Sequence, residues 1–316
     1  MIDDEKDELI LTSVERGLER RSKRQIAHAE ISERIVREAL AIEQASAKET
    51  GNLGYLARIL AQATMPHAKL STNEYQRRNG DLVISILSPS EVGLPYGHYP
   101  RLLLSWITTE AVRTKSPDIL LGDSLSQFLR QLGLTSSGGR SGTVPRLRDH
   151  LRRLFCSSVS WNYKSSADNG EARYSIHPIE TATLWWDPKN PEQPSLWKSR
   201  LGLNQRFFDE IINRPVPIDM RILRALAHER SPLAIDIYIW LTYRLFYVRA
   251  DTTVPWEALA MQFGGDYTRL RDFKKFFLKR LKLVLQFYPE AKVESLDAGL
   301  KLSPSWPSVL PKPTGP

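Results

Sequence analysis

The feature that most constrains this chain is an internal repeat. Trp106-Ile107-Thr108 corresponds to Trp240-Leu241-Thr242. Phe128 through Gly133 corresponds to Leu259 through Gly264, and Arg146-Leu147-Arg148-Asp149 to Arg269-Leu270-Arg271-Asp272. Any one of these strings arises by chance. Their recurrence in one order, on stretches of like periodicity, points to two related domains in tandem. A length of 316 residues accommodates two such domains with appendages. With 41% hydrophobic and 25% charged residues, the chain has apolar material for two cores and lacks the composition of a disordered protein.

In the first copy, Leu82–Leu87 is strand-like and closed by Ser88-Pro89, and the turn-rich stretch Gly93–Pro100 leads into a helix. Leu102, Leu103, Trp106, Ile107 and Ala111 share one face of that helix at 3.6-residue spacing. A short apolar piece, Ile119–Leu121, precedes a helix over Leu125–Leu132, with Asp123 or Ser124 as its cap and Gly133 at its end. The glycine loop Thr135–Gly142 carries Arg140 and leads to a helix over Thr143–Phe155, with Thr143 as N-cap and Pro145 in the first turn. Val159–Tyr163 and Arg173–Trp186 alternate as two strands around the turn Ser165–Gly170.

The second copy follows the proline-stiffened stretch Asp187–Pro194. Helices are expected over Leu201–Ile212, Met220–His228 (capped by Asp219), Pro232–Val248 and Pro255–Phe263, with Pro215–Pro217 extended. A long basic helix over Asp266–Phe287 and a hairpin of Lys292–Ser295 with Leu300–Leu302 complete it. Helix, short strand, helix, loop, helix, hairpin is the winged-helix order. The expected class is therefore mainly α with small β wings (α+β), as two tandem winged-helix domains preceded by N-terminal helices. The expected boundaries are 1–58 for a helical extension, 59–187 for the first domain, 188–197 for the linker, 198–303 for the second domain and 304–316 for a proline-rich tail. Residues 14–50, rich in Glu, Arg, Ala and Ile, read as solvent-laced helices with an irregular heptad pattern.

Lys and Arg outnumber Asp and Glu by 44 to 36, giving a net charge of +8 and favouring a polyanionic partner. The two R-L-R-D helices concentrate that charge. In the first, Val144, Leu147, Leu151, Leu154 and Phe155 form an apolar stripe, and Arg146, Arg148, Arg152 and Arg153 occupy the remaining surface. In the second the stripe is Leu270, Phe273, Phe277, Leu281 and Val284. Arg269, Arg271, Lys274, Lys275, Lys279 and Lys282 lie elsewhere on the helix. One face anchors such a helix and the other neutralises phosphates and reaches base edges. Arginine can pair bidentately with guanine, so the arginine-rich first helix is expected to read bases and the lysine-rich second to grip phosphates. Asp149 and Asp272 can orient an arginine, accept from cytosine N4, or form an intrahelical ion pair. Arg140 and the loop glycines can offer a phosphate nest or a simple flexible turn.

Enzymatic signatures are missing. There is no G-x-x-x-x-G-K-[ST] string, no H-x-H pair and no carboxylate cluster. His28-Ala29-Glu30 lacks the P-C-x-x-C that a deaminase needs. The expectation is a non-enzyme without cofactor or metal. The single cysteine, Cys156, reads as a small buried hydrophobe. Trp185-Trp186 and Phe276-Phe277 read as core. The acidic start M-I-D-D-E-K-D-E has no secretory h-region, and no stretch reaches the roughly 18–20 apolar residues of a membrane span, so a cytoplasmic protein without membrane contact is expected.

Several strings resemble one family, the RepA-type plasmid replication initiators of proteobacterial plasmids. They are P-R-L-L-L-S-W-I-T-T-E-A-V-R-T at 100–114, L-G-D-S-L-S-Q-F-L-R-Q-L-G at 121–133, R-L-R-D-H-L-R-R-L-F at 146–155, P-V-P-I-D at 215–219, S-P-L-A-I-D-I-Y-I-W-L-T-Y-R at 231–244 and W-E-A-L-A-M-Q-F-G at 256–264. The resemblance covers about Leu82 to Leu302. It implies binding of double-stranded origin DNA at iterons, opening of an AT-rich region, and recruitment of the host initiator and replicative helicase. It further implies copy control through repression of the protein's own gene as a homodimer. A winged-helix repressor without origin melting and an adaptor for acidic proteins are the rival readings.

Overall fold

The computed structural model describes residues 30–42, 46–62, 64–137, 142–164, 171–187, 190–194, 198–213, 215–265 and 267–309. The chain divides into two compact units, Met1–Ala45 and Ser46–Pro316. In the first, 30–42 is helical (α1). All that follows concerns the second unit, which is mixed helix and sheet.

It opens with β1 (Leu53–Leu56) and α2 (Arg58–Gln62), then a hairpin of β2 (Glu74–Asn79) and β3 (Leu82–Leu87). The hairpin turns at Gly80, whose φ of 58° lies where a side chain is costly. On β3 the alternation expected of a half-buried strand holds: Leu82, Ile84 and Ile86 are buried. Next comes α3 (His98–Thr114), with Leu102, Leu103, Trp106, Ile107 and Ala111 all buried as the periodicity requires. The first copy continues with β4 (Asp118–Leu120), α4 (Leu125–Gln131), α5 (Thr143–Phe155), β5 (Ser158–Lys164), β6 (Glu171–Ile176) and β7 (Ile179–Thr183). The second comprises β8 (Arg200–Leu203), α6 (Gln205–Asn213), β9 (Val216–Asp219), α7 (Met220–His228), α8 (Pro232–Leu245), β10 (Thr252–Pro255), α9 (Trp256–Phe263), α10 (Leu270–Phe287), β11 (Val293–Ser295) and β12 (Gly299–Leu302).

Four antiparallel sheets result, ordered β2-β3-β5-β6, β4-β8-β7, β10-β12-β11 and β1-β9. The tryptophans of the repeated strings have similar neighbours. Trp106 of α3 meets Phe128 edge-on at 5.0 Å and 83°, and Trp240 of α8 meets Phe263 at 5.7 Å and 82°. The two phenylalanines sit at different places in the aligned strings, so the copies preserve the contact rather than the position.

Several expectations are corrected. Leu201 belongs to β8, not to a helix, and α6 starts at Gln205. Leu201 and Leu203 are buried on one face while Gly202 packs between Thr181 and Asp118. The single strand expected over Arg173–Trp186 breaks at His177-Pro178, where proline removes a donor and the chain passes from one sheet to another. Thr143 is not the N-cap of α5. Gly142 is, and Ser137 Oγ accepts the Thr143 N–H at 2.9 Å. The caps Ser124 and Asp219 are as expected, each accepting a backbone N–H. Cys156 is exposed, because it sits one residue past the end of α5 on the helix's outer side.

Three of the contacts that join the two copies stand out. β1 pairs with β9, and β8, beyond the expected linker, pairs with β4 and β7. The third is a buried ion pair. Arg101 of α3 donates Nε–H and Nη2–H to the two carboxylate oxygens of Asp236 of α8, both at 2.6 Å. Its remaining donors reach the carbonyls of Met65 (2.7 Å) and Gly97 (2.6 Å), and His67 Nε2 lies 2.8 Å from Asp236. Burial works against ionisation of Asp236, but Arg101 and the hydrogen bonds from His67 and Arg101 hold the carboxyl below its ordinary range. The carboxylate that interrupts the apolar α8 is thus a partner for α3. Among the described residues no helix is long and apolar enough to cross a membrane.

Candidate nucleic-acid interface

The α5 helix is held by Val144, Leu147, Leu151 and Leu154, which share a core with Leu125, Phe128 and Leu129 of α4 and its C-cap residue Leu132. On its outer side Arg146, Arg148 and Arg152 are exposed. Arg153 is not with them. It is buried, donating Nε–H to Asp149 at 2.8 Å, and its guanidinium lies 5.4 Å from the Tyr96 ring centroid. The i, i+4 pair settles Asp149 as an intrahelical partner. On the same inner edge His150 stacks on Tyr99 (4.8 Å, 15°) and touches Tyr96. Burial is the main cause that pushes His150 down to about 4, and burial with His150 nearby does the same to His98. Both are neutral at pH 7, so the exposed arginines are the cations of this helix surface.

The α10 helix is anchored by Phe273, Phe277, Leu281, Val284 and Phe287. Arg271, Lys275, Lys279 and Lys282 are exposed at spacings of four, four and three residues, which place them in one stripe. Arg269 stands exposed at the N-cap position. Lys274 leaves the stripe: its Nζ sits 4.9 Å from the Trp256 ring centroid and donates to the Leu296 carbonyl at 3.4 Å. Trp256 Nε1–H donates to the same carbonyl at 2.9 Å, so Lys274 and Trp256 together pin the β11–β12 turn against α9 and α10. Lys301 on β12 is paired with Asp251 at 2.9 Å.

Of the residues expected from sequence, the structure leaves Arg146, Arg148 and Arg152 free on α5, and Arg269, Arg271, Lys275 and Lys279 at α10. It turns Arg153 and Lys274 into packing residues. Arg140 lies outside the described residues. Two aromatic expectations are corrected. Phe277 is core but Phe276 is exposed, in contact with Tyr267 at 5.5 Å, and Trp186 stacks on Phe128 while Trp185 faces solvent. The sequence reading missed the Tyr96–Tyr99–His150 cluster, since His150 of α5 lies about fifty residues from Tyr96 and Tyr99 at the start of α3. Among the described residues no group of three His, Cys, Asp or Glu side chains could hold a metal ion.

These features define an α+β chain with two exposed cationic helices, α5 and α10. The fold is similar to the crystal structure of selenomethionine derivatives of domains 2 and 3 of RctB, with a TM-score of 0.52 and 13% identity over 78% of this chain and 96% of that one. A second structure of RctB domains 2–3 has a TM-score of 0.47 and 14% identity over 77% of this chain and 94% of that chain. No curated protein matches the chain. Residues 94–260, more than half of the length, match the family model of plasmid-encoded RepA proteins. The chain belongs to that family, the RepA-type plasmid replication initiators.

Proposed function

We propose that this initiator binds repeated origin DNA as two winged-helix modules, with α5 and α10 entering successive major grooves on one face of the duplex. The observation that carries this is the pair of exposed cationic faces, Arg146/Arg148/Arg152 and Arg271/Lys275/Lys279/Lys282, each on a helix preceded by a shorter helix and followed by a hairpin. The second module supports it further. With α8 first, its order β10, α9, α10, β11, β12 and its sheet β10-β12-β11 follow the winged-helix plan. In this reading the protein is a non-enzyme without cofactor. It binds iterons, opens adjacent AT-rich DNA, recruits the host initiator and helicase, and represses its own gene as a dimer.

Successive grooves are roughly 34 Å apart, and about eight phosphate contacts give a log–log salt slope near −7. The test is a footprint on origin DNA with permanganate probing of the AT-rich segment. Two protected grooves and permanganate-reactive thymines are expected. Protection of a palindrome without reactivity would instead indicate a repressor, and no saturable footprint at physiological salt would indicate an adaptor for acidic proteins.

A further inference from the structure

The first copy reaches the second at a point that none of the expected DNA contacts includes. On β2, alternation sends Tyr75, Arg77 and Asn79 to one face and Arg78 to the other. The face carrying Arg77 is turned to the helix pair α9–α10 of the second copy. Asn79 Nδ2 donates to the Gln62 carbonyl at 2.8 Å, and Gln262 Nε2 of α9 donates to the same carbonyl at 3.0 Å. Thr64 Oγ1 donates back to the Gln262 carbonyl at 3.1 Å. This junction fixes β2 against α9.

It leaves the Arg77 guanidinium beside Gly265, in the turn between α9 and α10. The contact is so close that a Cβ at Gly265 would fall on the guanidinium itself. Gly265 takes no left-handed φ there, so room for Arg77 is what its missing side chain provides. The guanidinium lies over the Tyr75 ring at 4.3 Å, Nη1–H donates to its neighbour's carbonyl (Gln76, 3.0 Å), and buried Nε has no hydrogen-bond partner. No carboxylate of the described residues is paired with it. A half-buried cation with no carboxylate partner among the described residues, seated against Gly265, which precedes Arg269 by four residues and Arg271 by six, suits an anion delivered from outside.

We infer that Arg77 is a phosphate-binding residue of the second copy's DNA surface, supplied by the first. The inference rests on the reading of α10 as the DNA-facing helix. It adds that this surface is composite: the backbone of the duplex entered by α10 is gripped at the α9–α10 turn by an arginine from β2. Neither copy then carries its full affinity alone.

The test uses the full chain and a mixed-sequence duplex long enough for both copies, with affinity measured by fluorescence anisotropy across a salt series. Arg77→Ala should weaken binding about five- to tenfold and flatten the salt slope by about 0.9, the value for one phosphate. Arg77→Lys should keep the slope. Arg78→Ala, the same charge on the opposite face of the same strand, should change affinity less than about twofold if long-range field is all it supplies. Gly265→Ala should displace the guanidinium and weaken binding like Arg77→Ala, and the double variant should be no worse than Arg77→Ala alone. Equal effects of Arg77→Ala and Arg78→Ala, or additive effects of Arg77→Ala and Gly265→Ala, would overturn the inference. So would an Arg77→Ala chain with a lowered melting temperature and unchanged affinity. Arg271→Ala separates the two levels. If it weakens binding while Arg77→Ala does not, only the composite surface fails. If Arg271→Ala has no effect, the reading of α10 fails with it.

Discussion

In the first copy the exposed helix α5 is 13 residues long and its free cations are arginines, whereas α10 in the second runs 18 residues and adds lysines. The shared string R-L-R-D also sits at different depths. Arg146 comes three residues into α5, which starts at Thr143, while Arg269 is the N-cap residue of α10, with φ −122°. The aspartates diverge accordingly. Asp149 holds Arg153 against the body of the first copy, and Asp272 lies in the first turn of α10, where a negative charge favours the helix dipole. Identical strings thus became different surfaces. What the two copies preserve is the buried tryptophan set edge-on to a phenylalanine.

The largest effect is expected where the two copies are tied together. Asp236→Ala leaves Arg101 buried without its partner and should cost about 3–5 kcal/mol in urea unfolding. Replacing both by leucine should recover part of that loss, because no unpaired charge remains, although the Met65 and Gly97 carbonyls and His67 lose their partners. A small cost for Asp236→Ala would mean that the copies are held by β1–β9 and β8 instead.

The next test concerns the two cationic faces proposed to meet DNA. If α5 reads bases as proposed, Arg148→Lys should cost about 1–3 kcal/mol of discrimination between cognate and altered sites, because lysine cannot make a bidentate contact to guanine. Arg271→Lys should cost less. Equal losses, measured by competition binding, would remove the division between base reading and phosphate grip.

Acid should separate the copies further. His98 and His150, both in the first, have folded values near 4, below the ordinary 6.5. As pH falls the unfolded chain takes up protons first, so their contribution is present above about 6.5 and is lost as pH drops toward 4. Between pH 7 and 5 each such histidine should cost about 1–2 kcal/mol. Amide protection factors, taken relative to the intrinsic exchange rate at each pH, should fall over that range more in α3 and α5 than in α8 and α10, and His150→Phe should blunt the difference. A uniform fall would show that the histidines do not set it.

The smallest effects distinguish two lysines five residues apart on α10. Lys279→Ala should flatten the salt slope by about 0.9. Lys274→Ala should leave the slope unchanged and speed amide exchange in the β11–β12 turn, whose Leu296 carbonyl it holds.

The sequence by itself determined the succession of α3, α4 and α5 and of α8, α9 and α10, the cap Asp219 and the choice of Asp123 or Ser124 for α4, the buried faces of α3, α5 and α10, and the outward position of Arg148, Arg271, Lys275 and Lys279. All of these follow from periodicity or from a neighbour a few residues away, and local geometry enforces both. Only the tertiary structure decided which cations are consumed in packing, as Arg153 and Lys274 are, and which stay free. It also decided that Leu201 completes a sheet rather than a helix, that Arg101 meets Asp236 across 135 residues of chain, and that Arg77 lies against Gly265. Those outcomes depend on partners far away in sequence. A period of two or 3.6 residues says which face of an element is buried, but not what it is buried against.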